Sequence, residues 1–205
     1  MDEDTFWGLI ESARTEVGDS VERADDIAET LVSRLAGLSV EELVGFDTHV
    51  FRLLVESYRW DLWGAAYLIN GGCSDDGFDY FRGWLIAQGR EAWDAALDDP
   101  DSLADVLRVE APGGEPHGRG ADGLECEEML GVAAEAYERL TGGEEGFEDA
   151  LDLATEGIAL PAEPAGEEWD FDDADELADR FPRLARMFLD TGSGDEDDPG
   201  EDDEG

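Results

Sequence analysis

The chain has 205 residues, enough for one globular domain with a sizeable core and somewhat short for two independent ones. It carries 56 carboxylates against 13 basic side chains, for a formal net charge of −43, which repels phosphate backbones and anionic lipid and argues against direct nucleic-acid or membrane binding. Hydrophobic residues make up 41 % of it, so most of the chain can offset the entropy of folding, while no run approaches the roughly 18 apolar residues of a membrane span and the acidic start Met1-Asp2-Glu3-Asp4 is unlike a secretory signal; a cytoplasmic protein is expected.

Helical periodicity governs the order of elements. Phe6, Ile10, Ala13 and Val17 mark a first helix, and Ala24, Ile27, Ala28, Leu31 and Leu35 mark a second that stops at Gly37. Ser39 to Glu42 reads as a capping box ahead of Leu43, Phe46, Val50, Leu54 and Tyr58. The almost wholly apolar run from Trp60 to Ile69 predicts a buried fourth helix ending at Asn70-Gly71-Gly72. Ser74 then offers an N-cap, with Asp75 and Asp76 at the positive end of a helix reaching about Gly89.

A sixth helix carries Trp93 and Leu97, and Asp99-Pro100 reads as a cap followed by proline in a first turn. Residues 108 to 123 hold too many glycines and prolines for a regular element and are expected to loop. Glu125 to Leu140 repeats Met129, Ala133, Ala136, Tyr137 and Leu140 at helical spacing, and Phe147 with Leu151 suggests a shorter helix beyond. Pro161 to Gly166 resembles a linker, followed by an amphipathic piece from Asp172 to Leu189 that Pro182 interrupts. From Thr191 the chain has eight carboxylates and no large apolar residue, the composition of a disordered acidic tail. The expected fold is all-α: an irregular helical-bundle domain over 1–160, a linker and helical extension over 161–190, and a tail over 191–205.

Charge is unevenly spread. Residues 39 to 90 carry eight carboxylates against four arginines, so nearly all of the excess lies outside this central stretch, which also holds Trp60, Trp63 and Trp84. The absence of lysine fits either GC-rich codon usage or a salt-adapted cytosol. Cys73 and Cys126 are far apart and have no CxxC partner, which points to two free thiols rather than a zinc site or a disulfide framework. The two histidines, His49 and His117, are too few for a histidine-rich metal site. No metal and no cofactor is expected.

The strings Trp60-Asp61-Leu62-Trp63-Gly64-Ala65-Ala66-Tyr67, Ile69-Asn70-Gly71-Gly72-Cys73-Ser74-Asp75-Asp76-Gly77-Phe78 and Tyr80-Phe81-Arg82-Gly83-Trp84-Leu85 hold rare residues in fixed order. With Phe6-Trp7 and Glu125-Cys126-Glu127-Glu128, they resemble the bacterial family labelled domain of unknown function 4240, over about residues 1–141. The resemblance implies a shared fold and no established activity.

Candidate binding residues cluster in the same stretch. On a helix starting at Asp75, residues 75, 79 and 82 fall within about a 60° arc, which puts two carboxylates and an arginine on one face. Arg82 is then a candidate anion anchor, with Asp75 or Asp79 as a proton acceptor and Arg90 further along; the plain reading is an Asp79–Arg82 ion pair and a helix start stabilised by carboxylates. Cys73, near the N-terminus of that helix, is a candidate for a lowered thiol pKa, with a structural thiol as the favoured reading, and Cys126 is a candidate core residue. His49 could face a cleft with Arg52 or Arg59. Two functions are expected from these features: a small acidic interaction or regulatory protein that binds a basic protein, or a small-molecule-binding protein or enzyme with a pocket near Asp75 to Arg90.

Overall fold

The structure, a computed structural model, describes residues 1–18, 21–108, 123–159 and 161–189. Among them are eleven helices and no strand beyond one isolated bridge pair. His117 and the acidic tail from residue 191 lie outside the described residues.

The caps legible in the sequence set the element boundaries. Helix α1 (Glu3–Val17) starts on Asp2, whose carboxylate accepts from the Thr5 amide at 2.8 Å. After α2 (Ala24–Leu35), α3 (Val40–Glu56) opens with the predicted capping box: Ser39 Oγ accepts from the Glu42 amide, and the Glu42 carboxylate accepts from the Ser39 amide. Helix α4 (Trp60–Asn70) ends at Gly71, which takes the left-handed conformation with φ 69°. Helix α5 (Asp75–Ala87) is capped by Ser74, and α6 (Arg90–Asp98) follows. Asp99 caps a 3-10 turn (Pro100–Ser102) that leads into the short α7 (Leu103–Val106). The later helices are α8 (Glu128–Thr141), α9 (Phe147–Thr155), α10 (Ala174–Arg180) and α11 (Pro182–Phe188). Pro182 divides the last two, as its ring and missing amide require.

Helix α2 packs along α8 and α1, and α3 packs against α8 and α9. Helix α5 is buried through Phe78, Phe81, Trp84 and Leu85, each at most 1 % exposed, and α4 through Leu62, Ala65 and Ala66. The low charge density of residues 39 to 90 thus follows from burial, because an unpaired carboxylate is costly in such surroundings.

Residues 161–189 pack onto the side of the bundle. Ala165 exchanges backbone hydrogen bonds with Tyr58 and Trp60, forming the bridge to Arg59. The Trp169 ring sits against Gly64, where any Cβ would overlap it. Phe171 joins Trp60, Trp63 and Tyr67, with ring centroids 5.5 to 6.4 Å away. The Asp101 carboxylate, 4 % exposed, accepts from the Arg183 and Leu184 amides at the start of α11, and Phe181 and Leu184 are buried. Asp101, in the 3-10 turn, and Pro182 therefore cooperate across more than eighty residues of sequence to place the last helix.

Candidate functional site

The α5 face is a packed clamp. Arg82 is 4 % exposed, pairs with Asp79, and donates to the Leu54 carbonyl at 2.6 Å. Its guanidinium lies over the rings of Phe78 and Tyr58, 4.6 and 5.3 Å from their centroids. Burial pulls its pKa down and Asp79 pulls it back up, so the group stays a cation held between α3 and α5. Asp75 is exposed in the first turn beside Asp76. Arg90 is engaged elsewhere: its side chain pairs with Glu3 at 2.8 Å, Asp4 at 2.9 Å and Asp94, and its amide donates to Glu11, tying the start of α6 to α1. The structure brings Asp79 and Arg82 together and ties Arg90 to α1.

The surroundings of Cys73 work against a lowered thiol pKa. It is half-buried, and burial first, with the Glu125 carboxylate second, pushes its pKa up to about 12. Desolvation and a like charge outweigh the dipole of α5. Cys126 is buried, as expected for a core residue, and burial pushes its thiol up as well. Its sulfur lies within 4.8 Å of carboxylate oxygens of both Asp25 and Glu128, a group of three donors able to approach a metal ion. Asp25 bonds to the Cys126 thiol, which accounts for the grouping by a hydrogen bond. The Cys126 carbonyl rests on α5 at Gly83, where a Cβ would overlap it.

His49 does face a cleft. A cavity of about 590 Å³ opens between α1, α3 and α6, and Arg52 and Arg59 line it together with His49. Phe6, Trp7 and Trp93 form its inner wall and are at most 3 % exposed. His49 stacks on Phe6, and its Nε2 lies 3.0 Å from the Met1 carbonyl; that oxygen only accepts, so Nε2 carries the proton. Arg59 is fixed by Asp61 and by the Leu97 carbonyl. Arg52 is exposed and has no hydrogen bond or ion pair among the described residues. Glu56, one turn further along α3, and Asp98, at the end of α6, complete the polar rim.

A model for a family of proteins of unknown function, DUF4240, matches residues 1–139. The chain belongs to this family. Neither the curated proteins nor the solved structures hold a match to it. The matched part contains every residue of the α5 clamp and of the cleft, whereas α9, α10 and α11 follow it.

Sequence reasoning connected His49 with Arg52 and Arg59 but missed Trp93, Glu56 and Asp98. Their shared position depends on three helices meeting, and no spacing in the chain encodes it. It also missed Asp47 on α3, whose carboxyl burial raises to about 6.

Proposed function

We propose that the protein is an acidic interaction protein that captures a basic segment of another protein, with α9 at the centre of the contact. The observation that carries this reading is Leu153, a leucine 73 % exposed on α9 with Glu148, Asp149, Asp152 and Glu156 exposed around it. An exposed apolar side chain ringed by carboxylates suits an amphipathic partner that places Lys or Arg around an apolar anchor. The rest of the surface supports the same sign of charge. Nine of the described arginines are held in ion pairs within the chain, so they neutralise few of the carboxylates left over. Groups that a reaction would need are occupied by the fold: Ser74 caps α5, and the Cys73 thiol is held protonated.

The test is affinity capture from native lysate at low and moderate salt, with the intact chain and with Leu153→Asp. Basic proteins retained at low salt, released as the screening length falls to about 8 Å, and lost with Leu153→Asp are the expected result. Equal retention by the two chains removes α9 from the reading, and retention of nothing basic removes the reading itself. A second reading, small-ligand binding, is favoured by the polar cleft between α1, α3 and α6 rather than by the α5 surface, where Arg82 already has its partners.

A further inference from the structure

The α1/α3/α6 cleft presents several hydrogen-bonding and charged groups that have no partner within the described residues. Trp63 and Trp84 donate their indole N–H groups to the carbonyls of Cys73 and Val21, at 3.1 and 2.8 Å. Trp7 and Trp93 are just as buried, at 3 % and 2 % exposed, yet neither indole N–H has an acceptor among the described residues. Neither nitrogen is among the enclosed, unpaired polar atoms of the described residues, which are Arg34 Nε, Asn70 Nδ2 and Trp169 Nε1, so both N–H groups stay accessible and can meet an acceptor from outside.

The charged rim says what kind of acceptor. Arg52 has no carboxylate partner in a chain where carboxylates outnumber arginines fourfold. It stands one turn before Glu56 on α3, the weaker order for an intrahelical pair, so little holds the two together. Glu3 and Asp94 of the same cleft are neutralised by Arg90, which leaves Glu56 and Asp98 as its free carboxylates. The open groups are thus one cation with two N–H donors on one hand, and two anions on the other. A simple anion would meet Glu56 and Asp98, and a simple cation would meet Arg52.

We propose that this cleft binds a small zwitterion, a free amino acid or a dipeptide, with its carboxylate on Arg52 and the Trp7 and Trp93 N–H groups and its ammonium on Glu56 and Asp98. The half-buried Leu53 and Leu97 line the same cavity and receive the body of the ligand. A cavity of about 590 Å³ accommodates either size. The cleft lies within the family-matched part, and the site is independent of partner capture by α9.

The experiment reads the indole N–H cross-peaks in a ¹H–¹⁵N spectrum of the full chain, assigned with Trp7→Phe and Trp93→Phe. The proteinogenic amino acids and a set of glycyl dipeptides are added one at a time at millimolar concentration. The expected result is a saturable shift of the Trp7 and Trp93 peaks, with those of Trp63 and Trp84 still. Arg52→Ala, an exposed change that leaves the fold intact, should weaken the response about tenfold or more, as should N-acetylating or amidating the active ligand. A set in which no compound moves either peak overturns the proposal. So does a response that survives in Arg52→Ala, or one that the N-acetylated form reproduces, since the carboxylate or the ammonium would then have no place in the recognition. If amino acids act and dipeptides do not, or the reverse, the ligand class narrows accordingly.

Discussion

The α4–α5 pair and the α1/α3/α6 junction present arginines in opposite conditions. The first holds the most distinctive strings in the sequence, and its Arg82 is closed in by Asp79, the Leu54 carbonyl and two aromatic rings. The second has ordinary sequence, and its Arg52 touches no charged partner among the described residues. Unusual residues in fixed order therefore record how tightly a region must pack as readily as they record chemistry. In the α4–α5 pair, Gly64 and Gly83 leave room for Trp169 and for the Cys126 carbonyl, and Arg82 bridges to α3. A binding site, by contrast, needs groups that the fold leaves open, and these lie on helices whose individual sequences say little.

Substitutions can break this contrast, beginning with the largest effect. Arg82→Ala removes a buried cation with its ring contacts and leaves the Leu54 carbonyl without its donor; it should cost about 3 kcal/mol in urea unfolding, and Arg82→Lys should recover little because an ammonium cannot reproduce the planar fork. A loss below about 1 kcal/mol would mean that the clamp is not structural. Gly64→Val drives a side chain into the Trp169 ring and should cost about 2 kcal/mol, with faster proteolysis within residues 161–173 as its local signature. Protection equal to the parent chain would place Trp169 elsewhere.

Asp47 gives a pH test with a definite sign. Its carboxyl titrates near 6 in the fold and near 4 when unfolded, so the folded chain holds the proton more tightly. The stability linked to this group is fully present below about pH 4 and is lost as pH rises through 6. Asp47→Asn should match the parent near pH 4 and exceed it by up to about 2 kcal/mol at pH 7, read from denaturation midpoints across that range. Parallel curves would contradict it. The smallest effect belongs to Arg52→Ala, which should change stability by no more than about 0.5 kcal/mol, since an exposed side chain without partners has little to lose. That near-silence beside the cost of Arg82→Ala is the sharpest form of the comparison.

Much of the fold was legible in the chain because local chemistry decides it. The Ser39–Glu42 capping box, the left-handed Gly71, the Ser74 cap and the Pro182 break are each written in a few neighbouring residues. The Asp79–Arg82 pair was legible for the same reason, being one helical turn long. What could not be read were encounters between distant segments: Asp101 at the start of α11, Trp169 on Gly64, and the rim formed by Arg52, Glu56 and Asp98. The thiol pKa of Cys73 follows burial and the distant Glu125 more than its place beside a helix terminus, and neither is written in its neighbours.

The seat of Trp169 on Gly64 separates two boundaries that are easily taken as one. The family match ends at residue 139, but the packing does not, because the notch formed by α4 is filled from beyond residue 160. A fragment trimmed to the region of kinship would carry Trp60, Trp63 and Tyr67 with their covering Phe171 gone, an aromatic face turned to water. Such a fragment should aggregate for want of the residues that cover this face, and function is best sought with those residues in place.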